Sequence, residues 1–181
     1  VEWLQQAGEQ GLASAETLVF PSMVYVGEEG MQLASVKAVS DGYPLRGELT
    51  YSEQAFGPVL PASLGPRPGE VWLDSRLFPL LDVEIGQQVT IGEAQFTVVA
   101  AARTEPDQGA SFFGYGPRVL MHIDDIPATG VVQPGSRVEY RQLFAGSAAA
   151  LGQWRQAVQA QLQAGQKLLD VAGGTGDVSF R

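Results

Sequence analysis

The 181-residue sequence has no cysteine, a single histidine (His122) and few basic side chains, with 11 Lys and Arg against 20 Asp and Glu. Each shortage removes a class of function. Without cysteine there are no disulfides and no thiolate metal sites, and with one histidine a zinc site would have to be built mostly from carboxylates. The formal charge of −9 repels nucleic-acid phosphates and anionic lipid headgroups, which argues against nucleic acid as a partner. No apolar run approaches the roughly 20 residues that span a bilayer, and the start lacks the basic-then-apolar pattern of a signal peptide. The chain is therefore expected to be soluble as it stands. Val1-Glu2-Trp3-Leu4 already reads as helical with no capping residue before it, so excision from something anchored is expected.

What remains is an ordinary globular composition, 45% hydrophobic and 17% charged, able to bury a core. Leu4, Ala7 and Gly11 fall at helical spacing, with Gly11-Leu12 as a glycine C-cap. From Thr17 to Val26 the residues Leu18, Phe20, Val24 and Val26 share one face of a strand. Gly27-Glu28-Glu29-Gly30 is a turn, and Met31 to Val39 returns to complete a hairpin. Pro21 predicts an edge or a bulge there. Asp41 to Arg67, punctuated by Pro44, Pro58, Pro61 and Pro66, reads as a connector.

Next come a strand from Glu70 to Leu73, a helical turn capped by Asp74, and a hairpin in which Gly92-Glu93 joins Gln88–Ile91 to Ala94–Arg103. Arg118 to Ile123 is another strand, followed by a turn capped by Asp124 and Asp125. Arg137 to Phe144 is a strand, Ser147 caps a helix with the apolar stripe Leu151, Trp154, Val158 and Leu162, and Lys167 to Val171 closes the pattern. The fold class is α+β. Residues 1–56 and 137–181 are expected to form a discontinuous α/β subdomain, two helices on one face of a small sheet, and residues 57–136 an inserted β-rich subdomain.

Candidate chemistry is thin. His122 would need a converging carboxylate to act as base or ligand; Asp124 and Asp125 are close, but a helix cap accounts for them. No serine lies in a nucleophile elbow. Glu105-Pro106-Asp107 is a possible carboxylate pair that reads more readily as a solvated turn. Phe112, Phe113 and Tyr115, set among glycines, suit an apolar lip for a hydrophobic ligand, a membrane surface or a partner, or else a loop folded over its own core. Tyr43, Arg46 and Arg118 are candidates for the same docking surface, the two arginines equally for structural ion pairs. No catalytic or metal residue is assigned and no cofactor is expected.

One alternative comes from the last residues. Leu168 to Asp177, with Asp170, Gly173, Gly174 and Gly176, resembles the first motif of S-adenosylmethionine-dependent methyltransferases, a strand entering a glycine-rich turn. Such a site needs a following helix and a second strand with an acidic residue, so a glycine-rich tail is the preferred reading. An unrelated protein- or carbohydrate-binding β module is a third.

A longer-range pattern is more specific. Phe20-Pro21-Ser22-Met23-Val24, Val36-Lys37-Ala38-Val39, Gly42-Tyr43-Pro44-Leu45-Arg46-Gly47-Glu48-Leu49, Gly69-Glu70-Val71-Trp72-Leu73-Asp74, Pro117-Arg118-Val119-Leu120-Met121 and Pro134-Gly135-Ser136-Arg137-Val138 occur in this order. Together they resemble the first extracytoplasmic domain of YbbP-like ABC transporter permeases, in the wider MacB/FtsX-like group. The resemblance implies a discontinuous α/β subdomain with a β-rich insertion, on the periplasmic side of the bacterial inner membrane. It further implies a cytoplasmic ATPase that binds ATP and drives movement of this domain, a hydrophobic or lipid-like compound as cargo, and a periplasmic esterase or thioesterase as partner. Binding and transmission of movement, rather than catalysis, are then the domain's tasks.

Overall fold

A computed structural model describes residues 2–107, 116–170 and 177–180. Helix α1 (Glu2–Glu9) ends in a Schellman motif: Gly11 is left-handed at φ 70°, the Leu12 N–H bonds the Ala7 carbonyl at 3.0 Å and the Gly11 N–H bonds that of Gly8. Leu12 folds back into the same cluster as Ala7. Strands β1 (Ala13–Val26) and β2 (Gly30–Val39) make the expected hairpin, in register from Val26↔Gly30 to Thr17↔Val39.

No bulge occurs at Pro21, which pairs in register with Ser35. The edge is local. On its other side β1 pairs with β9 (Glu139–Ala145) only up to Val19, and with β6 (Gln88–Ile91) only from Val24. Pro21, which has no N–H to offer a ladder, lies in the gap between the two.

The segment expected to be a connector contains two short strands, β3 (Leu49–Ser52) and β4 (Leu60–Ala62). Pro61 sits on β4, the last strand of the sheet path, where a missing N–H is tolerated. Beyond it lie β5 (Glu70–Asp74), α2 (Leu77–Leu81), β7 (Ala94–Thr104), β8 (Arg118–His122), a 3-10 turn (Ile123–Asp125), α3 (Ile126–Thr129), α4 (Ala148–Gln159), β10 (Leu168–Asp170) and β11 (Asp177–Phe180). Asp74 does not cap α2; its carboxylate accepts from the Arg76 N–H and guanidinium. Ser147 does cap α4, its Oγ accepting from the Ala150 N–H at 3.2 Å.

The hydrogen bonding departs from the expectation of a separate small sheet on the flanks. Strands β1, β2, β8, β5, β7 and β6 pair in that order, and β6 pairs back with β1, so the ladder closes into a barrel. The physical reason is the length of β1. At 14 residues it serves one ladder with its first half and another with its second, which a strand of ordinary length could not do. Alternate residues of all six strands fill the interior, among them Phe20, Val36, Val119, Leu73, Val98 and Ile91, and Leu77, Phe78 and Leu81 of α2 pack into the same cluster. Outside the ring β9 continues the sheet from β1, and α1 and α4 pack together over it through Leu12, Phe144, Leu151 and Trp154.

At the far edge β11 pairs antiparallel with both β9 and β10. In place of the glycine-rich tail expected from the sequence, Asp177–Phe180 forms a strand. A methyltransferase motif would lead into a helix, whereas Asp177–Phe180 returns antiparallel to the strand that carries Asp170. Gly173, Gly174 and Gly176 lie outside the described residues. No helix among the described residues is long and apolar enough to cross a membrane.

Candidate functional site

The outer face of β2 carries a cluster of charges that strand periodicity alone would send to solvent. Val36 and Ala38 point into the barrel, so Ser35 and Lys37 point out. Both are nevertheless buried, with the side chains of Tyr43, Glu105 and Asp107 on Lys37 and that of Arg118 on Ser35. The Lys37 ammonium directs one hydrogen bond each to Tyr43 Oη (2.8 Å), Glu105 Oε2 (2.9 Å) and Asp107 Oδ1 (2.7 Å). It also lies 4.7 Å from the centre of the Tyr43 ring, a cation–π distance.

Arg118 completes the cluster. Its Nε donates to Glu105 Oε1 at 2.7 Å and its Nη1 to Ser35 Oγ at 2.6 Å. The Tyr43 hydroxyl in turn donates to Asp107. Two cations and two carboxylates are thus neutralised pairwise, with the Lys37 and Glu105 side chains only 3% and 4% exposed. Burial on this scale is tolerable because every ammonium proton and each Glu105 oxygen has a partner.

The charges move the neighbouring titrations in opposite directions. Burial works to raise the Asp107 pKa, but the Lys37 charge and hydrogen bonds from Lys37 and Tyr43 outweigh it and hold the carboxyl below its usual range. Burial, with the Asp107 and Glu105 charges added, pushes the Tyr43 phenol far above its usual value. All three Lys37 ammonium protons are engaged, and with Arg118 on the other Glu105 oxygen the cluster ties β2 to the end of β7 and the start of β8.

Tyr43 joins this cluster to a groove of about 520 Å³ between the 39–43 turn and the 61–68 loop. Tyr51, Leu64, Pro66 and Trp72 line it, with the Tyr51 and Trp72 rings 5.4 Å apart, a size and an aromatic character suited to a small ligand. His122 forms part of its wall and of a second hollow of about 410 Å³ beside Glu16 and Gln142. Its Nδ1 accepts from the Asp124 N–H at 3.2 Å and its Nε2 lies 3.1 Å from Asp41 Oδ1, which places the proton on Nε2. The 3-10 turn is thus capped by His122 rather than by an aspartate, and Asp125 instead accepts from the Gly69 N–H at 2.7 Å. Among the described residues no three His, Asp or Glu side chains group as a metal site.

Of the residues singled out in the sequence, Tyr43 and Arg118 meet in the buried cluster, linked through Lys37 and Glu105. Arg46 is exposed on the 42–48 turn, with its Nη2 3.5 Å from the Gly146 carbonyl. Phe112, Phe113 and Tyr115 lie outside the described residues. Glu105 and Asp107 are not a solvated turn: the first is buried and the second largely so. Lys37 was missed as a functional candidate, although a lysine inside the apolar run Val36 to Val39 is the signal that could have found it.

No protein-family model matches the chain. In sequence it is 38% identical over 145 residues, 80% of its length, to the uncharacterized ABC transporter permease YbbP of Escherichia coli K12. It spans only 17% of that relative. In structure it resembles the crystallised periplasmic region of MacB from Actinobacillus actinomycetemcomitans, with a TM-score of 0.54 and 12% identity over 97% of this chain and 77% of that one. Sequence and fold lead to the same place: the chain belongs to the YbbP-like ABC transporter permeases, as a segment with the fold of the MacB periplasmic region.

Proposed function

We propose that this chain is the extracytoplasmic domain of an ABC transporter permease at the bacterial inner membrane, and that it moves as one body when a cytoplasmic partner ATPase turns over ATP. The observation that carries the reading is the identity to a permease over four-fifths of the chain. The barrel supports it physically. Because β1 bonds both β6 in the ring and β9 beneath the helices, a displacement at α1 or α4 reaches the barrel through hydrogen bonds and packed side chains. The groove beside Tyr43 and Trp72 is the place for a hydrophobic or lipid-like compound, and a periplasmic protein, an esterase or thioesterase in this reading, receives it. The domain binds and transmits; ATP stays with the ATPase.

The test uses the full-length permease reconstituted with its ATPase, with spin labels on exposed Gln161 of the α4 end and Gln54 of the β3–β4 loop. On vanadate trapping of ATP, distances from either label to the partner domains should change, while the Gln161-to-Gln54 distance stays fixed. A domain that stays still while ATP is hydrolysed and cargo moves would refute the reading.

A further inference from the structure

The β1–β2 hairpin is covered at one end and bare at the other. On its outward face β2 presents, in order, Met31, Leu33, Ser35 and Lys37. The last two lie beneath Glu105 and Arg118, whereas Met31 and Leu33 are 63% and 56% exposed. Directly across the strands, Tyr25 pairs with Met31 and Met23 with Leu33, and Tyr25 is also exposed. Pro21 continues the same face, exposed in its turn. Five large or rigid apolar residues thus stand side by side in register, while the inward residues Val24 and Ala34 are already buried in the barrel. The face is not needed for the fold. Exposed apolar residues of this contiguity mark a surface that meets something else.

The hairpin's tip decides what that is. Its turn consists of Gly27, Glu28 and Glu29, and both glutamates are exposed close to the Tyr25–Met31 pair. An anionic membrane surface would be repelled there. A second copy docked on this face would set the two glutamates against a chain that itself carries −9. We infer that the Pro21, Met23, Tyr25, Met31 and Leu33 face docks a polypeptide whose contact surface is apolar and rimmed by Lys or Arg, with Glu28 and Glu29 reading the rim. This deepens the partner-docking part of the proposed function and rests on it; its outcome is read separately from the spin-label distances.

The probe is a short amphipathic peptide of Leu and Lys, titrated by fluorescence anisotropy against the 181-residue chain beside a Leu and Glu counterpart. The basic peptide should bind saturably and the acidic one not. Met31→Asp with Leu33→Asp should weaken binding about tenfold with an unchanged circular dichroism spectrum, both sites being exposed. Glu28→Lys with Glu29→Lys should reverse the preference between the peptides. Glu48→Lys with Glu53→Lys, an equal change of charge at exposed sites elsewhere, should leave it alone. The inference is overturned if the last pair acts as strongly as the tip, or if the two Asp substitutions leave binding intact. It is also overturned if those substitutions abolish instead an attachment to phosphatidylethanolamine/phosphatidylglycerol vesicles or a self-association seen by sedimentation.

Discussion

Glu105 and Arg118 close a connection in the barrel with one hydrogen-bonded ion pair: Arg118 Nε donates to Glu105 Oε1 at 2.7 Å, at positions just after β7 and at the start of β8. Lys37 holds the other Glu105 oxygen from β2. The carboxylate is therefore the hub at which three strands are tied, and its worth lies in what its removal would leave behind.

Glu105→Ala leaves Lys37 and Arg118 buried with only Asp107 to balance them. Loss of one member of a buried pair costs about 3–5 kcal/mol, far more than an exposed pair returns. Lys37→Met is expected to cost a similar amount, and the double variant Lys37→Met with Glu105→Ala less than the sum, because each substitution removes the charge that the other stranded. Urea unfolding of the three variants measures this; strictly additive losses below about 1 kcal/mol would mean that the cluster is solvated in solution.

The same cluster sets a pH window. Asp107 has a folded pKa below that of the unfolded chain, so the unfolded state binds the proton first. The stabilisation is complete above the usual carboxylate value of about 4 and is lost as pH falls through the folded value. Tyr43 has the opposite sign. Its raised folded pKa gives stabilisation that is complete below the ordinary phenol value of about 10 and is lost as pH climbs beyond it. Unfolding midpoints measured across pH should show a flatter acid limb in Asp107→Asn and a flatter alkaline limb in Tyr43→Phe. Parallel curves for wild type and variant would contradict the assignment.

The two hairpins, the Schellman end of α1 and the Ser147 cap are legible in the sequence because each is settled by residues within a few positions of one another. Barrel closure is not. It depends on β1 leaving β9 after Val19 and meeting β6 at Val24, a contact between segments some 67 residues apart, as Val24↔Ile91 shows. The charged cluster is hidden for the same reason: Lys37 meets Glu105 at a separation of 68, and although Lys37 stands out within its apolar run, nothing near it in sequence points to Glu105. Proline density misdirected the reading of Asp41 to Arg67, since β3 and β4 are short and at the sheet's edge, where local propensity is weakest as a guide.

His122 tests whether the one histidine is structural. The Asp124 N–H needs an acceptor, and His122 Nδ1 supplies it from the residue that caps the 3-10 turn. His122→Asn keeps a cap-competent oxygen on a shorter side chain, whereas His122→Ala removes the acceptor and leaves a hollow in the wall between the two grooves. The alanine variant should lose about 1 kcal/mol more than the asparagine variant by thermal or urea unfolding. Equal losses would show that volume alone matters there.

Gly92 offers the sharpest local test of the β6–β7 turn against α3. It is left-handed at φ 60°, and a Cβ there would fall on the Thr129 carbonyl. That carbonyl already accepts from the Glu93 N–H at 2.8 Å, so it cannot withdraw without losing the bond. Gly86 is the control, left-handed at φ 91° but with nothing within 4 Å of an added Cβ. Alanine at Gly86 then pays only the left-handed backbone cost of about 1–2 kcal/mol. At Gly92 it should lose about 1–3 kcal/mol beyond that, through overpacking and the displaced hydrogen bond. Hydrogen exchange should localise the extra loss: the Glu93 amide becomes less protected in Gly92→Ala and keeps its protection in Gly86→Ala. If both substitutions cost the same and Glu93 stays protected, α3 does not press on the turn, and the clamp between the barrel and the Thr129 carbonyl is absent.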